Sequence, residues 1–323
     1  MREPNDSPDP DLLYSLYSDH HAQALRLGLM LDVFTPLEAG AVRAEAVAEA
    51  CGCDPTGMAA LLDLLACLGL IGRDGQTFQP TATSSTFLVP GKRSYAGRYL
   101  LAESGASLWD GISQALRSGR PSRLVFPWAQ DAWLESYRPS RPEESRAMWR
   151  AAGLAPGSRP GLRVIDLACG CSIKSLVLAE ADPSVRLTCV DTRDVLDVAR
   201  DLARRMGLLE RVTFVEGGLD LDLAPQAFDA ALLGQVSYYL EPDEMRRLAT
   251  RLRASLAAGG HLLVDAIMAD EPPTEWASYI TLVTWGVSGG SAHGFEAYRG
   301  WLHEAGFADV RRLSERWLVA RVD

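Results

Sequence analysis

Lysine is almost missing from this chain: Lys92 and Lys174 are the only two, and arginine makes up the rest of the 32 basic residues. Arginine codons are GC-rich, so we read this as genome composition rather than function. Acidic residues number 42, giving a formal charge of −10. A nucleic-acid partner, whose phosphates call for a basic face, is therefore not expected. No run of eighteen apolar residues is present to span a bilayer. The N-terminal MREPNDSPDPD has no basic, apolar leader and reads as a short arm, so the protein is expected to be cytoplasmic with no membrane partner. Histidines are few: His20, His21, His261, His293 and His303. The cysteines (Cys51, Cys53, Cys67, Cys169, Cys171, Cys189) lie mostly in apolar runs and read as reduced, buried thiols. Their Cys-x-Cys pairs lack the spacing and histidine partners of a four-ligand zinc site, so no metal is expected. Nor is there a Gly-x-Gly-x-x-Gly segment to admit a pyrophosphate.

What is present is a globular composition, 47% hydrophobic and 23% charged over 323 residues, which is enough chain for two cores. The Gly/Pro-rich segment Ala151–Gly161 reads as a connector, dividing 1–150 from 161–323. In the first part, Leu12, Leu13, Leu16, Leu25, Leu29 and Val33 recur at helical spacing, predicting a helix from Asp11 to about Phe34. A second helix is expected near Arg43–Ala50. A third runs to Leu68, with Asp54 as its N-cap and Pro55 in its first turn. Gly69–Pro80 reads as a hairpin turning at Asp74-Gly75. This is a winged-helix pattern, yet its would-be recognition helix PTGMAALLDLLACLGL has no basic residue and one acid, Asp63. The module is expected to pack or dimerise instead, through helices around Leu13–Leu31 and Tyr95–Leu116. Arg98, Tyr99, Glu103, Trp109 and Trp128 lie in the stretch joining it to the rest, where the aromatics either line a ligand pocket or pack the core.

Beyond the connector the pattern alternates. Strands are expected at Arg163–Ala168, Val185–Val190, Arg211–Val215, Phe228–Leu233 and Gly260–Met268, with helices at Ser172–Glu180, Asp194–Met206 and Pro242–Ala257. Short apolar strands separated by amphipathic helices predict an α/β fold with a doubly wound, Rossmann-like parallel sheet. Ligands of such sheets bind outside the carboxyl ends of the strands. The turn after the first strand, Asp166 to Ser172, consists mainly of small residues and lets a ligand approach the backbone. Asp191, ending the second strand, can accept hydrogen bonds from ribose hydroxyls. The two together point to a nucleoside ligand without phosphates.

The segments VIDLACGCSIKSLVLA, CVDTRDVLDVAR, RVTFVEGG, FDAALLGQVSYYLEPDEMRRL, GGHLLVDAIMADEPP and YRGWLHEAGFADVRRL resemble class I S-adenosylmethionine-dependent methyltransferases. With the N-terminal module, the chain resembles the dimeric winged-helix O-methyltransferases of plant phenolics and bacterial natural products, from about Leu12 to Val322. The resemblance implies a homodimer, a cofactor-binding domain over 161–323, and a terminal antiparallel strand pair in FADVRRL and RWLVARV. It implies that Asp166, Ala168 and Gly170 lie beside the methionine portion of S-adenosylmethionine and that Asp191 holds the ribose. Thr192 would flank the adenosine, Gly217, Gly218 and Leu219 would sit by the adenine, and Gln235 would stand beside the cofactor.

The departures concern both cofactor and chemistry. Ala168 and Ser172 replace the usual first and third glycines of the loop, and Gly218 replaces the usual acid after the third strand, with Asp220 close by. The family's catalytic His-Asp-Trp segment is met by Tyr239-Leu240-Glu241, and an ordinary tyrosine is a poor base at neutral pH. His293, in the SGGSAHGF loop, and Asp265, ending the fifth strand of that domain, are the remaining catalytic candidates. Asp265 either orients substrate or pairs with a basic side chain. Methyl transfer needs a base only when the acceptor must lose a proton first. The expected reaction is therefore methylation of a small, natural-product-like amine, acidic hydroxyl or activated carbon. Two alternatives stay open: a non-methylating reaction of the same cofactor, such as cyclisation of its aminocarboxypropyl group, and a non-catalytic ligand-binding scaffold. Tyr238 and Tyr239 either pack after the strand or favour a sulfonium through their ring faces.

Overall fold

The structure is a computed structural model that describes residues 20–92, 94–102, 106–122, 141–270, 272 and 274–323. The arm before Leu12, Leu12, Leu13 and Leu16, and Glu103, Trp128 and Trp133 lie outside the described residues, as do the side chains of Arg98, Tyr99 and Trp109. The chain divides into two compact units, one formed by the described residues up to 102 and one by 106–122 and 141–323.

The first unit holds α1 (His20–Met30), α2 (Phe34–Glu38), α3 (Ala44–Cys51), α4 (Pro55–Cys67), the hairpin β1 (Ile71–Asp74) and β2 (Thr77–Pro80), α5 (Ala82–Phe87) and α6 (Gly97–Ala102). Its local signals are satisfied where expected. The Asp54 side chain accepts from Gly57 N at 2.9 Å, capping α4, with Pro55 in the first turn. The first helix ends earlier than its apolar spacing predicts: the chain turns after Met30, with Asp32 at φ 51°, before resuming as α2. That turn sends Val33, Phe34 and Leu37 into a core with Val47, Met58, Leu62, Leu65, Ile71 and Phe78. No single helix among the described residues is long and apolar enough to cross a membrane; α3 and α4 together pass such a test but are bent by 111°.

The second unit opens with α7 (Ala106–Ser118) and α8 (Arg141–Ala151). The connector-based boundary assigns both helices to the N-terminal part, whereas their packing is with the sheet unit. Ile112 of α7 packs against Val283 and Val287 of α12 (Glu275–Ser288). Trp149 of α8 is fully buried, and its Nε1 donates to the Lys174 carbonyl at 2.8 Å. Alternation then produces β3 (Arg163–Leu167), α9 (Ile173–Ala181), β4 (Arg186–Asp191), α10 (Arg193–Arg205), β5 (Val212–Glu216), β6 (Phe228–Gly234), α11 (Pro242–Ser255) and β7 (Leu256–Asp265). After α12 come α13 (Phe295–Glu304), β8 (Asp309–Arg312) and β9 (Trp317–Arg321).

The seven strands order β5-β4-β3-β6-β7-β9-β8. The neighbours from β5 through β7 are parallel, while β9 runs antiparallel to β7 and β8 antiparallel to β9. This is the class I methyltransferase arrangement, including the expected terminal pair. Val164, Ile165, Leu232 and Leu233 are fully buried, as strands covered on both faces must be. Strand order reverses between β3 and β6, so a crevice opens where β3 ends at Leu167 and β6 ends at Gly234.

The cysteines are free but less buried than their apolar surroundings predict. Only Cys189 is buried and Cys67 is exposed, because the apolar runs at 51–53 and 169–171 end in turns.

Candidate functional site

The loop after β3 is built on left-handed backbone: Ala168, Gly170 and Ser172 have φ of 55°, 55° and 53°. For a non-glycine residue this region costs about 1–2 kcal/mol, and two of the three are not glycine. Hydrogen bonds hold the loop in this form. Ser172 Oγ and Ser175 Oγ donate to Asp166 Oδ2 at 2.8 and 2.7 Å, tying the first turn of α9 to the interior of β3. Gly170 N donates to Asp191 Oδ2 at 2.9 Å, tying the loop to the end of β4.

Asp166 is 2% exposed. Burial pushes its carboxyl up to about 6, against the lowering effect of the two serines and Lys174. It thus anchors the loop from behind. Asp191 is half-buried and receives Gly170 N on Oδ2 and Thr192 N, at 2.8 Å, on Oδ1. Burial raises its carboxyl, and these two backbone donors oppose the rise. Each carboxylate oxygen can accept more than one hydrogen bond, so Asp191 retains capacity for two ribose hydroxyls. Thr192 is exposed and opens α10 as its N-cap residue.

Gly217 N donates to the Asp191 carbonyl at 3.0 Å, bringing Gly217 and Gly218 beside the same strand end. Arg251 donates to the Leu219 and Leu221 carbonyls and supports this turn from α11. Small residues, exposed backbone and a carboxylate at adjacent strand ends, with no cradle for phosphates, suit the nucleoside and amino-acid portions of S-adenosylmethionine. The Cys169 thiol is not a nucleophile by environment: hydrogen bonding to Cys189, then burial, pushes it well up.

At the end of β6, Gln235 has φ 65° and lies between two candidates. Its amide Nε2 donates to Asp265 Oδ1 at 2.8 Å, and its Oε1 accepts from the Tyr238 hydroxyl at 3.0 Å. The inward tyrosine is thus Tyr238, one position before the residue that the segment match suggests. Tyr239 is half-buried, with its ring 5.1 Å from that of Tyr238. Burial pushes the Tyr238 hydroxyl well above its usual range, so it is a donor to Gln235 and not a base.

Asp265 pairs with basic side chains. Its buried carboxylate meets Lys174 Nζ at 2.8 Å and Arg316 at 3.0 Å. Burial alone would raise its carboxyl, but the two cations outweigh burial and hold it below the usual range. Lys174 and Arg316 lie in quoted segments but carried no candidate role there; they meet Asp265 only through tertiary packing.

His293 stands in an aromatic cluster, its ring edge-on to Trp301 at 4.8 Å and to Tyr298 at 6.0 Å. Its Nε2 lies 3.3 Å from the Leu240 carbonyl. Burial lowers its affinity for a proton, and the carbonyl partly restores it. The described geometry is that of a packed histidine.

Comparison with known proteins completes the description. The O-methyltransferase dimerisation domain family matches residues 17–90, and a methyltransferase domain family matches residues 164–260. The N,N-dimethyltransferase OxyT of Streptomyces rimosus is 26% identical over 94% of this chain and 93% of its own length. The acetylserotonin O-methyltransferase of Mus musculus is 30% identical over 77% of this chain and 70% of its own length. Among solved structures, human N-acetylserotonin methyltransferase in complex with S-adenosylmethionine superposes with a TM-score of 0.75 at 21% identity, covering 99% of both chains.

Proposed function

The chain belongs to the O-methyltransferase family with an N-terminal dimerisation domain, and from that premise we propose that it methylates a small, natural-product-like acceptor without a histidine base. It is an S-adenosylmethionine-dependent methyltransferase, and the relatives do not favour the non-methylating alternative. The relatives are, by name, an N,N-dimethyltransferase and an O-methyltransferase, which supports an amine or an acidic hydroxyl among the proposed acceptors of amine, acidic hydroxyl or activated carbon.

One observation carries the reading of mechanism: the inward side chain after β6 is Tyr238, whose hydroxyl donates to Gln235. The bound cofactor supplies an electrophilic methyl on positive sulfur. The chain's own residues then bind, align and exclude water, which can account for much of the acceleration of a displacement reaction. Asp191 would hold the ribose, the 168–172 loop would pass beside the methionine portion, and the Gly217–Leu219 turn would border the adenine. Asp166 would keep the loop in its left-handed form. Residues 20–102 would form the homodimer contact. Exposed Leu27, Met30 and Leu31 on and just after α1 supply apolar area for the contact.

Calorimetry with S-adenosylmethionine and S-adenosylhomocysteine tests the site. Binding is expected for both, and Asp191→Ala is expected to weaken it about a hundredfold, near 2.7 kcal/mol. Full affinity in that variant would overturn the ribose assignment. Mass analysis of spent cofactor should find S-adenosylhomocysteine; methylthioadenosine would refute methyl transfer.

A further inference from the structure

The turn that follows β6 is held from outside, by the segment that joins α12 to α13. Ser288 Oγ lies 2.9 Å from the Tyr239 carbonyl, 49 residues away in the chain, and 3.0 Å from the Thr284 carbonyl, so its one proton serves either. The Tyr298 hydroxyl meets Ser237 Oγ at 2.8 Å, and both residues are fully buried. His293 Nε2 reaches the Leu240 carbonyl. Gly290 makes the closest approach of all. A Cβ there would stand 2.4 Å from the Tyr238 carbonyl oxygen and 2.5 Å from the Tyr239 carbonyl carbon. Both are main-chain atoms, so no side-chain rotation relieves the contact and only glycine permits it.

Seated in this way, the turn delivers the Tyr238 hydroxyl to Gln235 Oε1, while Gln235 Nε2 donates to Asp265 Oδ1. The Gln235 backbone N also donates to the Asp265 carbonyl, at 2.7 Å. Gln235 is thus gripped at both ends of its amide and at its main chain, with φ at 65°. Left-handed backbone at a residue with a side chain persists only where its surroundings over-determine it, and these three bonds do so. Asp265 is itself fixed by Lys174 and Arg316.

Strand order gives this lock its place. β6 lies on the opposite side of β3 from β4 and β5. A nucleoside held at Asp191 and Gly217, at the ends of β4 and β5, would direct its sulfur end across β3 towards the end of β6, where Gln235 is the first residue beyond the strand.

We propose that the segment from Ser288 to Tyr298 is a positioning element for methyl transfer, with Gly290 and Tyr298 as positioning residues: it seats the turn so that Tyr238 locks Gln235 beside the transferring methyl. The inference rests on the methyltransferase reading above and extends it to residues that touch neither cofactor nor acceptor. Tyr238 keeps its hydroxyl proton on Gln235 throughout and exchanges none with the acceptor. Displacement at the methyl depends on alignment, so loosening the lock slows the reaction without altering its protonation requirements.

Two measurements on the full protein test this. Hydrogen exchange without cofactor reads the seat: the Tyr239 and Leu240 amides, bonded to the Val236 and Ser237 carbonyls, should exchange slowly in wild type. In Gly290→Ala and Tyr298→Phe they should exchange about tenfold faster or more. Nuclear magnetic resonance of S-adenosylmethionine isotopically labelled in its methyl carbon reads the consequence. Bound to wild type, the methyl line should be displaced from its position in water, and Gly290→Ala, Tyr298→Phe and Tyr238→Phe should each move it back. Calorimetric affinity for S-adenosylhomocysteine should stay within about threefold of wild type in each, since Asp191 and its loop are distant and independent. Gly290→Ala combined with Tyr238→Phe should move the line no further than the larger single change, because both break one lock. Phe307→Leu, buried beyond the far end of α13, is the control: it should lower the melting temperature and leave the line in place. Should Gly290→Ala fail to fold, Tyr298→Phe with Tyr238→Phe forms the same cycle. The proposal is overturned by unchanged exchange in the seat variants, a methyl line unmoved in all three, full additivity in the cycle, or an equal movement in Phe307→Leu. Loss of S-adenosylhomocysteine affinity in Tyr238→Phe would also overturn it, placing the lock at the nucleoside. Failure of wild type to bind S-adenosylmethionine at all would instead refute the function on which the inference rests.

Discussion

Relieving the left-handed backbone at Ala168 should stabilise the protein, whereas the same change at Ser172 should not. Both residues have φ near +55°, a region that costs a side chain about 1–2 kcal/mol. Glycine removes this strain but loses about 0.5–1 kcal/mol more conformational entropy on folding, so Ala168→Gly should gain at most about 1 kcal/mol. For a unit of this size that corresponds to about 2–4 °C in melting temperature. Ser172 carries a second function, its Oγ donating to buried Asp166. Ser172→Ala keeps the strain and removes the donor, for a loss of about 1–3 kcal/mol, and Ser172→Gly should fall between Ser172→Ala and wild type.

Asp166 gives the series a pH signature. Its folded carboxyl titrates at about 6, above the ~3.9 of an unfolded aspartate. The folded state therefore holds this proton more tightly, and the group's contribution to stability is present below about pH 4 and is lost as pH rises through about 6. The difference is worth roughly 3 kcal/mol, at about 1.4 kcal/mol per unit. Without Ser172 the ionised carboxylate has one donor fewer and its titration moves higher. The penalty of Ser172→Ala should therefore grow between about pH 5 and pH 8, as the linkage between proton binding and folding requires for a group of raised pKa. Urea unfolding of the four proteins across this range is the assay. A lower midpoint for Ala168→Gly, or a Ser172→Ala penalty that does not grow with pH, would refute the reasoning.

Removing the charge of Asp265 in Asp265→Asn leaves Lys174 and Arg316 facing each other, and breaking a buried pair of this kind costs about 3–5 kcal/mol, readable as a drop in urea midpoint. Because the folded carboxyl of Asp265 is held below its unfolded value, its contribution is present above about pH 4 and lost as pH falls further, a dependence absent from the variant. His293 takes up a proton less readily in the fold, so its own contribution to stability should fall as pH drops below about 6.5. His293→Phe should lose that component and leave the turnover pH profile unchanged; a shifted profile would give His293 a chemical role. Met30→Glu, placed on a side chain 60% exposed, should shift sedimentation from dimer towards monomer, and an unchanged sedimentation coefficient would move the dimer contact elsewhere.

Much of the fold follows from local chemistry. The strand–helix alternation after Gly161 yields the doubly wound sheet, because a parallel strand buried on both faces must be uniformly apolar and its crossover helix amphipathic. The boundaries it predicts for β3, α9, β4 and α10 lie within a residue or two of those observed. Asp54-Pro55 caps its helix as read, and the hairpin turns at Gly75-Gln76, one residue later than expected, with Asp74 paired to Thr77. The break after Met30 was less legible, since the same apolar spacing suits one long helix or two short ones. Which occurs depends on where Phe34 and Leu37 find a core. The start of β7 was missed for a similar reason: α11 passes directly into the strand at Leu256 without a turn residue.

The candidate site divides in the same way. Asp166, Gly170 and Asp191 were readable because strand ends and the small turn between them are sequence-local. The pairing at the ends of β6 and β7 was not. Segment matching points to Tyr239, but the short helical turn at Ser237–Tyr239 directs its neighbour inward to Gln235. A one-residue difference on a tight turn reverses the direction of a side chain. Lys174 looked compositional until packing set it against Asp265, 91 residues distant in the chain but 2.8 Å away in space. The sequence by itself therefore determined the family, the sheet and the candidate residues at its strand ends, since those depend on periodicity and on local position. Only the tertiary structure decided which side chains meet at the ends of β6 and β7 and how their charges pair, since electrostatic pairing depends on distance in space and leaves no periodic mark along the chain.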